Sequence, residues 1–189
     1  MSRHMRDEGE GRGGFLRWLL STLVICVALV VALRAFVVGV YYVPSGSMRE
    51  TIQVGDLVLG EKVSLLFGDP APGDVVTFES PLVPGETLVK RVVAVGGQTI
   101  DLLDDGSVAV DGEVLDEPYV DGAPTESLSS LAGSAGISYP YTVPEGMIWV
   151  MGDNRANSKD SRYFGPVSVD DVTSRAILIY WPLSDARLL

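Results

Sequence analysis

The sequence predicts a mostly β domain preceded by one transmembrane helix. Three observations lead to this fold class. The residues between Arg17 and Arg34 carry no charge, short runs rich in β-branched and aromatic residues follow, and all 11 prolines lie after the uncharged run. Prolines and glycines divide the later sequence into runs too short for helices. The composition, 47% hydrophobic and 21% charged over 189 residues, is typical of a globular chain.

The apolar run at 15–38 predicts the transmembrane helix. Its 24 residues reach about 36 Å at about 1.5 Å each, enough for a hydrocarbon core of about 30 Å. A cleaved signal peptide would have a shorter apolar region and end in a small-x-small site. Near its end the run has ALRAF (32–36), which offers no such site. The sequence therefore predicts an uncleaved anchor at 15–38 after a tail at 1–14, with a cleaved signal or a buried core helix as the alternatives.

Basic residues predict the orientation of this anchor, because cytoplasmic flanks of membrane helices carry an excess of Lys and Arg. Four arginines, Arg3, Arg6, Arg12 and Arg17, lie before the run or at its start, whereas only Arg34 lies at its far edge and Arg49 close after it. The N-terminus is therefore expected in the cytoplasm. Residues 39–189 are expected to form an extracytoplasmic domain of a single-pass protein of the cell membrane.

This domain is predicted to consist of short antiparallel strands. The strand-like runs are VVTF (75–78), TLVKRVVAV (87–95), SVAV (107–110), MIWVM (147–151) and AILIYW (176–181). Asp111 and Gly112 predict a two-residue hairpin turn, in which glycine supplies a positive φ. Residues 121–141 are small and polar without either period, which predicts a surface loop that is flexible at least in part.

The chain contains one histidine, His4, and one cysteine, Cys26. This excludes an intramolecular disulfide framework, a Cys/His zinc site and a Cys–His dyad, and a Ser-His-Asp triad would require His4 to reach out of its polar tail. A hydrolase built on this chain therefore needs another base. The net charge of −11 also argues against nucleic acid as a partner, because phosphates require clustered Lys and Arg.

Two candidate elements for such chemistry are a serine turn and a lysine on an apolar strand. In PSGSM, Pro44 and Gly46 form a stiff turn that can present Ser47 and aim backbone N–H groups at an oxyanion. In TLVKRVV, Lys90 shares one strand face with Leu88 and Val92. A buried lysine loses its proton easily and can serve as general base to a serine, although an edge strand with solvated charges would give the same pattern.

The third candidate element is the polar stretch GDNRANSKDSRYFG at 152–165. It is either a solvated loop or a buried scaffold of ion pairs and hydrogen bonds that fixes an active site. Composition leaves both possibilities open.

Five blocks, taken in order, make the chain recognisable. They are PSGSM after the apolar run, GDVVTF (73–78), VKRVVAVGG (89–97), VDGEVLDEPYV (110–120) and VPEGMIWVMGDNRANSKDSRYFG (143–165). In this order they resemble the type I signal peptidases, membrane-bound serine proteases that cleave signal peptides from exported proteins. The resemblance implies a signal-peptidase-like antiparallel β-sheet catalytic domain.

The resemblance also implies roles for single residues. Ser47 matches the nucleophile and Lys90 the general base, while Ser45 matches the serine whose hydroxyl joins the Ser47 N–H in the oxyanion hole. Ser158 matches a serine that hydrogen-bonds the lysine and helps to orient it.

Other matched positions are supporting ones. Asp153, Asp160 and Arg162 match the polar scaffold behind the site, and Met48 and Arg91 match further family positions. We expect Arg91 to pair with Asp153 on the far face of the lysine strand. The sequence departs from the usual x-Pro-Thr-Leu after Ser-Met, where it has Arg-Glu-Thr-Ile at 49–52.

Together these features predict a serine endopeptidase that removes signal peptides after small residues through a Ser47/Lys90 dyad, with no metal or cofactor. The implied partners are signal-peptide-bearing precursors, the lipid bilayer and the export translocon in its proximity. Two alternatives stay open: a dedicated Ser–Lys protease for a single client such as a pilin, and a non-catalytic anchored β-module.

Overall fold

The computed structural model describes residues 8–120 and 122–189, with side chains from residue 14 onward. His4 and the first half of the predicted tail lie outside the described residues. The chain divides into two compact units, of which the first ends at Val37 and the second comprises Val38–Leu189. Each unit is described separately below.

The first unit is a single helix, α1, which spans Glu8–Phe36. Its segment Gly14–Phe36, 23 residues, is long and apolar enough to cross a membrane, and none of it is buried in protein. The predicted apolar run continues to residue 38, but the helix stops two residues earlier. Val38, Val40, Tyr41 and Tyr42 follow, and β-branched and aromatic residues favour extended backbone. The apolar run therefore passes from helix into strand.

The second unit contains twelve strands and one short helix among its described residues. The strands are β1 (Val38–Tyr42), β2 (Leu57–Glu61), β3 (Val75–Glu79), β4 (Thr87–Val95), β5 (Thr99–Leu102), β6 (Val108–Val110), β7 (Glu113–Val114), β8 (Tyr141–Thr142), β9 (Met147–Met151), β10 (Val167–Ser168), β11 (Val172–Trp181) and β12 (Arg187–Leu188). The helix α2 spans Ser161–Phe164. Four of the five runs predicted as strands lie wholly in strands, and the fifth, 107–110, does so except for Ser107.

These strands form two antiparallel sheets. The larger has the order β1-β2-β11-β3-β4-β9-β10, with β12 added to β11, and the smaller has the order β7-β6-β5-β8. The fold class predicted from the sequence, mostly antiparallel β with one N-terminal apolar helix, is confirmed.

Alternation along the strands builds the core. One cluster combines Val43, Met48 and Ile52 with Val58 on β2 and Ile179 on β11. Three members of this cluster, Val43, Met48 and Ile52, lie between β1 and β2. Because burying these apolar side chains stabilises their position, the cluster holds this segment, which includes the serine turn, against the sheet. Two further clusters lie around Trp149 and around Phe78.

The predicted hairpin turn is also confirmed. Val110 pairs with Glu113 across it, and the two turn residues Asp111 and Gly112 have φ values of 54° and 84°. Positive φ at both central positions is the mark of a type I′ turn.

The segment 122–140 contains no strand or helix in its described part. It is attached at both halves to the region around α2: Glu126 O accepts from Arg162 Nη1 at 3.1 Å, and Tyr163 Oη donates to Ala132 O at 2.8 Å. Its flexibility stays a prediction.

Two strand edges remain open near the serine turn. β1 ends the larger sheet and pairs only with β2. On β4, residues Thr87–Lys90 pair with β3, whereas β9 joins the opposite edge only from Arg91 onward. Among the described residues no strand therefore covers β4 on that side between Thr87 and Lys90.

Candidate active site

A direct hydrogen bond joins the two residues that were predicted to act together. Lys90 Nζ lies 2.7 Å from Ser47 Oγ. The lysine is 3% exposed and the serine 9%, so the pair is almost fully shielded from bulk water. A second Lys90 hydrogen bond, 2.9 Å to Val89 O, fixes the direction of the ammonium group.

Burial lowers the pKa of Lys90 from 10.5 to about 8, because the protonated amine loses its hydration. The negative charges of Asp160, Glu86 and Asp153 oppose this change, in that order of strength. The remaining shift places the amine where a useful fraction is neutral near physiological pH. A neutral amine that is hydrogen-bonded to a hydroxyl group can accept the hydroxyl proton.

The serine turn is held by hydrogen bonds from one backbone and one side-chain donor of the polar stretch that follows β9. Asn154 N donates to Ser47 O at 3.0 Å, and Asn154 Nδ2 donates to Gly46 O at 3.0 Å. Below the turn, Met48 is 1% exposed and its carbonyl accepts from Ile52 N. A helical turn with a buried methionine therefore aims Ser47 without the proline that usually follows in this motif.

The Ser47 N–H donates to no acceptor among the described residues, and the Ser45 side chain is exposed on the same turn. An unengaged N–H beside an exposed hydroxyl can receive the negative charge that develops on a carbonyl oxygen during acyl transfer.

The predicted pairing of Arg91 with Asp153 is present. Arg91 Nη2 lies 2.7 Å from Asp153 Oδ2, with side-chain exposures of 11% and 0%. Asp153 also accepts from the Thr51 hydroxyl, just beyond the serine turn. The guanidinium of Arg91 stacks 4.0 Å above the ring of Tyr119. This ion pair thus joins the far face of β4 to the chain that follows Ser47.

A second ion pair lies fully inside the protein. Arg162 Nε is 2.9 Å from Asp160 Oδ1, with both side chains at 0% exposure. Asp160 also accepts from Gly152 N at 3.0 Å and from Arg162 N at the start of α2. The polar stretch at 152–165 is therefore a buried scaffold rather than a solvated loop.

Sequence reasoning assigned no role to Arg155, Glu117 or Tyr119. Arg155 is 2% exposed, and its Nη1 donates to Glu117 Oε2 at 2.8 Å and to Thr125 Oγ1 at 2.9 Å. Tyr119 Oη donates to Glu117 Oε1 at 3.0 Å. The sequence signal for these contacts lies in the block at 110–120. There Glu117 and Tyr119 flank a proline, and both carry polar groups that can form hydrogen bonds when they are buried.

The hydrogen bond predicted from Ser158 to the lysine is not formed, which corrects that prediction. Ser158 Oγ is buried and has no hydrogen-bond partner among the described residues. Lys90 instead donates to Ser47 and Val89. The Ser158 side chain packs against Gly152, where a β-carbon would overlap Ser158 Oγ and lie 2.5 Å from Ser47 O. Gly152 is thus a position where the backbone must approach closely.

A groove of about 240 Å³ leads away from Ser47 and Lys90. Its walls are the two open edges, Val40–Tyr42 of β1 and Thr87–Val89 of β4, together with the serine turn. Open edges on both sides offer backbone N–H and C=O groups to an extended peptide.

Comparison with known families gives one match over most of the chain. Residues 15–181 match the family described as signal peptidase, peptidase S26.

Individual relatives agree with this match. The chain is 36% identical to signal peptidase I of Mycobacterium tuberculosis (strain H37Rv), with 89% of this chain and 74% of the relative covered. It is 33% identical to the probable signal peptidase I-1 of Synechocystis, with 90% and 85% covered. It is 29% identical to the chloroplastic thylakoidal processing peptidase 1 of Arabidopsis thaliana, with 94% and 55% covered.

A solved structure is also similar. It is a signal peptidase I from Enterococcus faecalis V583, 31% identical, with 57% of this chain and 97% of that chain covered and a TM-score of 0.46.

Proposed function

Because this chain belongs to the signal peptidases of peptidase family S26, we propose that it is a membrane-anchored enzyme in which Ser47 is the nucleophile and Lys90 the general base. Family membership makes the protein a serine peptidase that removes signal peptides. The observation that supports the dyad best is the 2.7 Å hydrogen bond from Lys90 Nζ to Ser47 Oγ in a site closed to bulk water.

In the first step neutral Lys90 accepts the Ser47 hydroxyl proton while Oγ attacks the carbonyl carbon of the scissile bond. The oxyanion accepts hydrogen bonds from the Ser47 N–H and the Ser45 hydroxyl. When the tetrahedral intermediate collapses, the C–N bond breaks and the Lys90 ammonium gives its proton to the leaving amine. The signal peptide is then an ester of Ser47.

In the second step Lys90 takes a proton from a water molecule, and the resulting hydroxide attacks the ester carbonyl. The same oxyanion donors hold the second intermediate. The C–O bond to Ser47 breaks, Oγ recovers a proton from Lys90, and the signal peptide leaves with a free carboxylate. One amine thus acts alternately as base and acid, which is the task that no histidine in the described part of the chain performs.

The surrounding residues have supporting roles in this proposal. Asp153, Asp160, Arg91 and Arg162 form the scaffold that holds β4 and the turn in position. Met48 anchors the turn in the core. The groove accepts the residues before the cut as an extended strand, in which alternate side chains face the groove lining that includes Met48. No metal or cofactor takes part.

We assign the helix α1 as an uncleaved anchor, with its N-terminus cytoplasmic and residues 39–189 outside. The support is the apolar segment Gly14–Phe36 and the arginines that precede it. An anchored enzyme and a precursor inserted in the same bilayer meet at high effective concentration without further binding energy. Alkaline extraction of membranes and protease protection of tags at either terminus test anchoring and orientation.

Precursor cleavage by the full chain in vesicles tests the dyad. Ser47→Ala and Lys90→Ala should each lose at least about 10³-fold in kcat/KM. Lys90→Arg should be equally inactive, because its guanidinium does not deprotonate. Lys159→Ala provides a matched lysine control that should keep wild-type activity. Unchanged cleavage in either dyad variant would contradict the assignment.

A panel of unrelated secretory precursors tests the breadth of function. We expect several to be cleaved, each after a small residue. Cleavage of one precursor alone would instead identify a dedicated processing protease.

A further inference from the structure

The groove carries one acidic side chain, which lies four residues before the lysine on the same strand side. Of the residues that line it, Glu86 and Lys90 are the charged ones. Lys90 is engaged with Ser47, whereas Glu86 is exposed and forms no ion pair with any described residue. Glu86 stands immediately before β4. Four residues of extended strand separate its backbone from that of Lys90, about 13 Å between α-carbons, and its carboxylate still acts electrostatically on the Lys90 amine.

A basic side chain lies beside the serine turn and outside the groove lining. Arg49 is two residues beyond Ser47 and does not line the groove. Its Nε lies 3.7 Å from the point where a β-carbon on Gly46 would stand, so the guanidinium lies beside the turn that presents the nucleophile. Arg49 is exposed and has no carboxylate partner among the described residues.

We propose that Glu86 and Arg49 give the cleft a charge polarity that selects among precursors. Glu86 favours a basic residue about four positions before the cut, and Arg49 favours an acidic residue in the first two positions after it. This inference rests on the proposed function, because it assumes that a peptide lies in the groove with its scissile bond at Ser47.

Simple electrostatics fixes the size of the effect. An extended peptide advances about 3.3 Å per residue, so the side chain four residues before the cut reaches the level of Glu86. Both protein charges are exposed, and exposed ion pairs favour the matched partner by about 1.5-fold to 5-fold. The preference should shrink as salt is raised from 20 mM to 500 mM, because the Debye length falls from about 20 Å to about 4 Å.

The experiment uses full-length enzyme in detergent micelles and five peptides of one sequence. One peptide is neutral. Two others carry either Lys or Glu at the fourth residue before the cut, and the last two carry either Asp or Lys at the second residue after it. The measured quantity is the ratio of kcat/KM within each charged pair. Wild type should prefer Lys over Glu before the cut and Asp over Lys after it.

Variants separate the two ends. Glu86→Gln should bring the upstream ratio to about one and Glu86→Lys should invert it, while both leave the downstream ratio unchanged. Arg49→Gln and Arg49→Glu should do the same to the downstream ratio alone. Glu113→Gln, which removes an exposed carboxylate from β7 in the smaller sheet, is the matched control and should change neither ratio.

Each outcome has one meaning. Wild-type ratios near one, or ratios that persist in Glu86→Lys and Arg49→Glu, overturn the inference. If the neutral peptide is still cleaved in a Ser47-dependent manner, the proposed function stands while the polarity falls. If the neutral peptide is cleaved equally by Ser47→Ala, both fall together.

Discussion

The activity of this enzyme should rise with pH through one ionisation near pH 8, that of Lys90. The amine acts as a base only when it is neutral. With a pKa of about 8, about 9% of the lysine is neutral at pH 7 and about 91% at pH 9. We therefore expect kcat/KM to increase about tenfold between these two values, with a slope that approaches one below about pH 7 on a logarithmic plot.

The origin of this value lies in two opposing effects. Burial of the Lys90 ammonium costs more than the nearby carboxylates of Asp160, Glu86 and Asp153 return. A shift from 10.5 to about 8 corresponds to about 3 kcal/mol of preference for the neutral form. Without burial, less than one molecule in a thousand would hold a neutral amine at pH 7.

The assay is the initial rate of cleavage of an uncharged peptide at low concentration, from pH 6 to pH 10 at constant ionic strength. Under these conditions kcat/KM reports the ionisation of the free enzyme. Circular dichroism at each pH serves as the control for folding. A flat profile, or an inflection near pH 6.5 that indicates histidine, would refute the assignment of Lys90 as the base.

Three further predictions concern stability and the shape of the site. Gly152→Ala should reduce activity by at least about 100-fold, because its methyl group would displace the turn, whereas Gly46→Ala meets only ordinary contacts and should keep the melting temperature of wild type. Arg91→Ala should lower the free energy of unfolding by about 3 kcal/mol, because it leaves Asp153 buried without its partner; urea unfolding in micelles measures this, and retained stability would count against the ion pair. Lys90→Met should abolish the part of the pH dependence of stability that Lys90 causes. The pKa of Lys90 is about 8 in the folded protein and 10.5 when unfolded, so its contribution to the free energy of unfolding is fully present above pH 10.5 and is lost as the pH falls to 8. The wild-type unfolding free energy should thus gain about 3 kcal/mol relative to the variant over that window.

Local patterns in the sequence were enough to predict five of the twelve described strands, namely β3, β4, β6, β9 and most of β11. Runs such as MIWVM and TLVKRVVAV are short and rich in β-branched residues, which favours strands. The pair Asp111-Gly112 between two such runs predicts a hairpin turn. The order of strands was beyond such patterns. β11 lies between β2 and β3 in the sheet, although more than 90 residues separate β11 from either strand in the sequence. Such long-range pairings depend on packing across the whole domain.

The dyad shows the same division. The apolar neighbours of Lys90 predicted a buried face, and the structure brings this lysine to Ser47. Composition could not decide whether the stretch at 152–165 was buried, because charged side chains are buried only when distant partners are present. Glu117 is such a partner for Arg155. The predicted bond from Ser158 is not formed: Lys90 donates to Ser47 Oγ and Val89 O, and Ser158 Oγ has no partner among the described residues.

The unfinished edges of β1 and β4 make the cleft sensitive to the conformation of what it cuts. A helical segment uses its N–H and C=O groups internally and has none to offer to a strand edge. A precursor whose cleavage region is helical must therefore unwind before it is processed, at a rate set by its own sequence. Helix-weakening residues upstream of the cut would therefore raise the rate of precursor cleavage, even where they do not contact the enzyme.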